Sequence, residues 1–209
     1  MATYKTPGVY VEEISLLPPS VAQVETAIPA FIGYTQLAEK DGQDLKNLPT
    51  RITSMLEYQL YFGGPRSFAA SDFELRLDQD KNYKVVAGSF KITKLLNMYN
   101  SVRHYFDNGG GPCYIVSVGG YGDAIAAGDE NNLASSGLRV GVKAVEKFDE
   151  PTILVIPDAA NLGDADFYAL QQMAIAQAGR LQDRVAVLDL REYIAAGGGT
   201  YANKFMPES

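Results

Sequence analysis

Three aspartates follow apolar runs that read as strands: Asp123 after residues 113–118, Asp158 after 152–157, and Asp189 near the end of 184–190. Carboxylates at strand ends are the raw material of a metal site or of acid/base catalysis, because ligands of α/β sheets bind beyond the carboxyl ends of the strands. The commoner use of Asp at these positions is to cap helices and close turns. Gly119-Gly120-Tyr121-Gly122 leaves the second run with enough backbone freedom to cradle a phosphate. It lacks both the Gly-x-Gly-x-x-Gly spacing and the Lys-Ser/Thr of a P-loop. Gly109-Gly110-Gly111 enters a strand instead of leaving one, the wrong end for a dinucleotide, and reads as a helix stop and turn.

His104 is the single histidine and Cys113 the single cysteine. One cysteine makes no internal disulfide and no cysteine-based zinc site, and Cys113, inside Cys-Tyr-Ile-Val-Ser-Val, reads as a buried core thiol. His104 sits near the end of a helical pattern, where an imidazole interacts favourably with the helix dipole. A serine triad would have to use it, and no Gly-x-Ser-x-Gly elbow accompanies it. These residues name no catalytic group, no cofactor and no metal. The enzymatic alternative is a small α/β enzyme with a site near Asp158 and Asp189, and it requires those carboxylates to converge in a deep pocket.

The chain has 209 residues, 46% of them hydrophobic and 21% charged, enough to bury a core. A net charge of −7 without basic runs argues against nucleic acid as a partner. No apolar stretch approaches the roughly 20 residues of a membrane span, so no direct membrane insertion is expected. The N-terminus lacks the pattern of a secretory signal, and synthesis in the cytoplasm is the expectation. The 13 tyrosines and 9 phenylalanines fall largely at core spacings on helical patterns, not on a stacking surface.

The elements that must position these residues alternate. Apolar runs near 29–35, 113–118, 152–157 and 184–190 lack strict period-two patterning, as strands of a parallel sheet buried on both faces do. Between them, Ile92, Leu95, Leu96, Tyr99, Val102 and Phe106 form a helical stripe ending at Asn108-Gly109. Helices are also expected near 138–148 and through Phe167, Leu170, Met173, Ala174 and Leu181. A shorter one opens on a Ser54/Glu57 capping box and stops at Gly63-Gly64. The expectation is an α/β fold: a three-layer domain with a mainly parallel sheet over residues 21–192, preceded by an extended N-terminal β arm over 1–20. Residues 66–88 read as a hairpin insertion, and 193–209 as a flexible tail or the start of a further domain.

One resemblance accompanies this reading. Tyr4-Lys5-Thr6-Pro7-Gly8-Val9-Tyr10-Val11-Glu12-Glu13-Ile14, then Pro19-Ser20-Val21 and residues 24–35, resemble the opening of contractile phage tail sheath proteins. The similarity continues in order through 52–54 to 62–64, 102–118, 154–158 and 183–189. That family includes the sheaths of phages, R-type bacteriocins and extracellular contractile injection systems. The resemblance implies a structural subunit that polymerises around an inner tube and contracts to drive it through a target envelope. The partners it implies are other sheath subunits, identical or paralogous, the inner tube protein, and baseplate and terminal cap proteins. It implies an inter-subunit arm made of Tyr4, Pro7, Gly8, Val9, Tyr10, Val11, Glu12, Glu13 and Ile14, a place in a phage tail or phage-tail-like particle, and no catalysis. A sheath-like cap or baseplate adaptor is the near alternative. Sheath proteins carry a further C-terminal domain with a second arm, which this sequence does not include.

Overall fold

The computed structural model describes residues 27–78, 83–86, 91–92, 94–132 and 134–190. The expected arm, with Tyr4, Pro7, Gly8, Val9, Tyr10, Val11, Glu12, Glu13 and Ile14, and the expected tail from 193 lie outside the described residues.

Five strands make the central sheet: β1 (Pro29–Thr35), β2 (Thr50–Ile52), β3 (Cys113–Gly120), β4 (Ile153–Val155) and β5 (Val185–Val187), in the order β5-β4-β1-β3-β2. β5, β4, β1 and β3 are parallel, and β2 runs antiparallel along the edge of β3. The fold is the expected α/β class with a mainly parallel sheet. All seven residues of β1 are buried, as a strand covered on both faces should be.

Helices cover the two faces unequally. On one face, α3 (Leu138–Val145) and α4 (Asp164–Leu181) lay Leu138, Val142, Phe167, Leu170 and Ala174 over Ala30, Ile32, Val116, Val118 and Leu154. Gly141 of α3 lies so close to the sheet that a Cβ there would come within 2.4 Å of Ile32. On the other face, α1 (Met55–Phe62) and α2 (Met98–Asp107) bring Tyr58, Phe62, Met98 and Val102 over Phe31, Ile52, Cys113 and Ile115. Tyr105 of α2 meets Phe31 edge-on, ring centroids 5.5 Å apart.

Two local expectations are corrected. The stripe beginning at Ile92 does not start α2, which opens only at Met98. Residues 94–97 are instead tied to distant segments: Lys94 Nζ donates to the carbonyls of Tyr121 and Asp123, and Asn161 exchanges two hydrogen bonds with the backbone of Leu95. These bonds hold the segment outside the helix, those from Asn161 satisfying the backbone of Leu95, and local periodicity yields to them. The cap of α1 also closes differently. Ser54 Oγ accepts from Glu57 N as expected, but the Glu57 carboxylate returns to Thr53, accepting from its N at 2.6 Å and its hydroxyl at 2.8 Å. Between α1 and α2, Leu77–Asp78 pairs antiparallel with Lys84–Val85, and Phe73–Glu74 with Lys91–Ile92.

Candidate functional site

The place to look for a ligand is the carboxyl edge of β1, where connections leave for opposite faces of the sheet. Asp158 stands there. It follows β4 in a short 3-10 turn, Pro157–Asn161, and is fully buried. Its Oδ2 accepts from Tyr34 N of β1 at 2.8 Å, and its Oδ1 from Asn97 N at the start of α2 at 2.6 Å. Met98 N also bonds the carboxylate. Gly33 makes the room, since a Cβ at that position would lie 2.6 Å from Oδ2.

A helix N-terminus facing the switch point of a parallel sheet is where α/β proteins seat the phosphate of a ligand. Here the protein's own carboxylate fills that seat. Burial pushes the Asp158 carboxyl up to about 6, against the lowering effect of the backbone N–H groups of Tyr34, Asn97 and Met98. It is the perturbed acid that a search for catalytic groups flags, yet its oxygens are engaged by backbone that joins β4 to β1 and α2. It therefore works as a bracket.

The other candidates do not join it. Asp123 is exposed and closes a turn, its Oδ2 accepting from Gly120 N at 2.8 Å. Gly119, Gly120 and Asp123 border an open space of about 140 Å³ with Thr35, Asp44 and Lys46. The polar groups around that space are held locally: Asp44 accepts from Lys46 N, Lys46 Nζ donates to Ser136 Oγ, and the Thr35 and Ser117 hydroxyls lie 2.6 Å apart. Asp189 is exposed, and its backbone carbonyl accepts from Gln171 Nε2 at 2.6 Å. It borders an open groove of about 410 Å³ with Asn97, Val155, Val187 and Leu190, and Asp158 is not among the residues lining it. The convergence that an enzyme site near Asp158 and Asp189 requires is not formed.

Cys113 lies on β3 as a buried free thiol, pushed up to about 12 by burial. His104 is exposed near the end of α2, its Nδ1 3.2 Å from Asn108 Nδ2. Among the described residues no group of three His, Cys, Asp or Glu is gathered as for a metal, and no helix is long and apolar enough to cross a membrane.

Sequence reading missed Arg184. It counts as the opening of a strand run, but its guanidinium is buried and donates to the carbonyls of Val145 and Phe148, closing the C-terminal end of α3, while pairing with Asp183. The adjacent Asp183-Arg184 was the only local signal, and it does not reveal a contact with carbonyls 36 and 39 residues away.

No family profile matches the chain, and no curated protein does. Among solved structures it is similar to a chain in the cryo-EM structure of the anti-feeding prophage baseplate in its contracted state. The identity is 20%, the TM-score 0.50, and the match covers 92% of this chain and 42% of that one. It is also similar to a chain of the anti-feeding prophage helical sheath in its contracted state, at 24% identity and a TM-score of 0.49, over 95% of this chain and 44% of that one. The chain thus spans less than half the length of either solved chain, and the likeness is one of fold.

Proposed function

We propose that the chain is a structural subunit of the contractile sheath of a phage-tail-like injection machine. In this reading it polymerises around an inner tube and contracts to drive the tube through a target envelope. The observation that carries the proposal is where the sheath-like segments fall. Residues 29–35 are β1, 52–64 hold the end of β2 and α1, 102–118 run from α2 into β3, 154–158 run from the end of β4 to Asp158, and 183–189 contain β5. The resemblance therefore lies on the frame of the domain, including the carboxylate that locks it, and a frame is what a load-bearing lattice subunit must keep.

The chemistry agrees. A buried acid whose oxygens serve three backbone N–H groups is suited to rigidity, and the other two strand-end carboxylates, Asp123 and Asp189, are exposed and apart from it. The fold likeness to an anti-feeding prophage baseplate chain favours one neighbouring reading, a sheath-like adaptor at the baseplate or cap. The two readings differ in copy number. Quantitative mass spectrometry of purified particles separates them: many copies per particle, in proportion to tube protein, support the sheath, and a single ring's worth supports the adaptor. The arm formed by Tyr4, Pro7, Gly8, Val9, Tyr10, Val11, Glu12, Glu13 and Ile14 is proposed to pair with a neighbouring subunit by strand addition. Deleting residues 1–15 should leave a folded subunit whose particles do not hold together on contraction, and normal contracted tubes from that deletion would refute the arm's role.

A further inference from the structure

α4, the longest helix among the described residues, carries two seams. Phe167, Leu170, Ala174 and Gln177 recur at three-and-four spacing and are buried on the side facing the sheet and α3. Ala165, Tyr168, Gln172, Ile175 and Gly179 repeat that spacing on the opposite side and are exposed throughout. Tyr168 is 50% and Ile175 52% exposed, and no charged residue interrupts the helix between Asp166 and Arg180. A solvated helix face ordinarily carries charged side chains. This one has the makings of a second packing surface.

Gly179 sharpens that reading. It disfavours helix relative to alanine, and it is not the stop, because the left-handed residue that ends α4 is Gln182 (φ 58°). Nothing in the chain lies within 4 Å of where its Cβ would stand, so no contact inside the domain calls for a glycine.

The charges say what covers the face. Asp164 and Asp166 open α4 and Arg180 closes it. Two copies laid parallel would set acid beside acid and base beside base. Laid antiparallel, they bring the acidic end of each to the basic end of the other and oppose their helix dipoles favourably. Asp166 and Arg180 are both exposed enough to take part, although Arg180 also pairs with Glu146. An antiparallel seam that sets Gln172 of one copy level with Ile175 of the other sets Tyr168 level with Gly179, and Asp166 level with Leu181, next to Arg180. We propose that free chains pair through α4, two copies antiparallel about a two-fold axis, each Tyr168 ring laid over the other copy's Gly179. The glycine is then where an aromatic ring arrives. Such a pair is closed and takes no third copy. It is a state of the chain outside a polar tube, separate from the contacts that would extend a sheath, so its failure would leave the sheath reading standing.

The test is analytical ultracentrifugation of the 209-residue chain over a wide range of concentration, where a reversible monomer–dimer equilibrium is expected. Gly179→Leu has room in the free chain and favours helix, so its circular dichroism should be unchanged while its dimer weakens by about tenfold or more. Disulfide formation reads the orientation: Tyr168→Cys mixed with Gly179→Cys should give a cross-linked dimer that neither variant gives alone. Cys113 takes no part, being buried with its thiol pushed up to about 12. A wild-type chain that stays monomeric, a dimer indifferent to Gly179→Leu, growth past the dimer, no disulfide in the mixture, or cross-linking of either variant with itself would each overturn the proposal.

Discussion

Over β1 and β3 the sheet is covered by helices on both faces; over β4 and β5 it is covered on one. At the roofed centre the strand-end carboxylate Asp158 is buried, raised to about 6 and held by backbone N–H groups from two other segments. At the open edge Asp189 is exposed, and only its backbone is engaged in a contact with α4. Two residues of the same type at equivalent topological positions thus do unrelated work. What separates them is the roof, which removes water from one and leaves the other solvated. A carboxylate deprived of water must find donors, and the donors it finds become joints of the fold.

The largest effect should come from cutting the central joint. Asp158→Ala leaves three backbone N–H groups without an acceptor, and at about 1–3 kcal/mol each the expected loss is about 3–9 kcal/mol. Chemical denaturation measures it. A change comparable to that of an exposed aspartate would erase the contrast between centre and edge.

The next effect is one of pH. The Asp158 carboxyl titrates near 3.8 when unfolded and near 6 when folded, so the folded state binds the proton more tightly. Keeping it ionised costs the fold stability above pH 6, and that cost is relieved as pH falls from about 6 to 4, by roughly 3 kcal/mol at 1.4 kcal/mol per unit. Asp72, held down chiefly by its hydrogen bond from Arg66, and Glu146, held down chiefly by its hydrogen bond from Lys143, lose stability over acid pH and work in the opposite direction. The quantity to follow is therefore the stability of the wild-type chain minus that of Asp158→Asn, which should grow as pH falls through this window. A flat difference would mean that the carboxyl is not desolvated.

The smallest effect belongs to the edge. Asp189→Asn should change stability by less than about 0.5 kcal/mol at neutral pH, because its side chain is exposed and the contact it makes to Gln171 is through the main chain. Thermal unfolding checks it, and a loss near that of Asp158→Ala would place Asp189 in a joint of its own.

The same contrast governs what could be read from sequence. β1, β3 and β4 were legible because strands covered on both faces are continuous apolar runs, and α4 because its stripe is long. β2 was not: Thr50–Ile52 is three residues with one fully buried, and it is a strand only because Cys113–Ile115 pairs with it. The start of α2 was misplaced because Asn161 and Asp158, more than 60 residues away, set the path of residues 94–97. The site was legible as a set of residue types, in that Asp158 and Asp189 stood out together, but their separation depends on which half of the sheet is roofed. Arg184 was hidden for the same reason, its partners being carbonyls, which leave no mark in a sequence.

The central claim is that this domain repeats along a sheath, and electron microscopy tests it most directly. The chain should be expressed from its own gene with the genes beside it, carry a gold-binding tag, and be imaged in purified particles. Label repeating helically along the whole length of the tube, in extended and contracted particles alike, is the predicted result; label confined to one end, or absent from the particles, would contradict it.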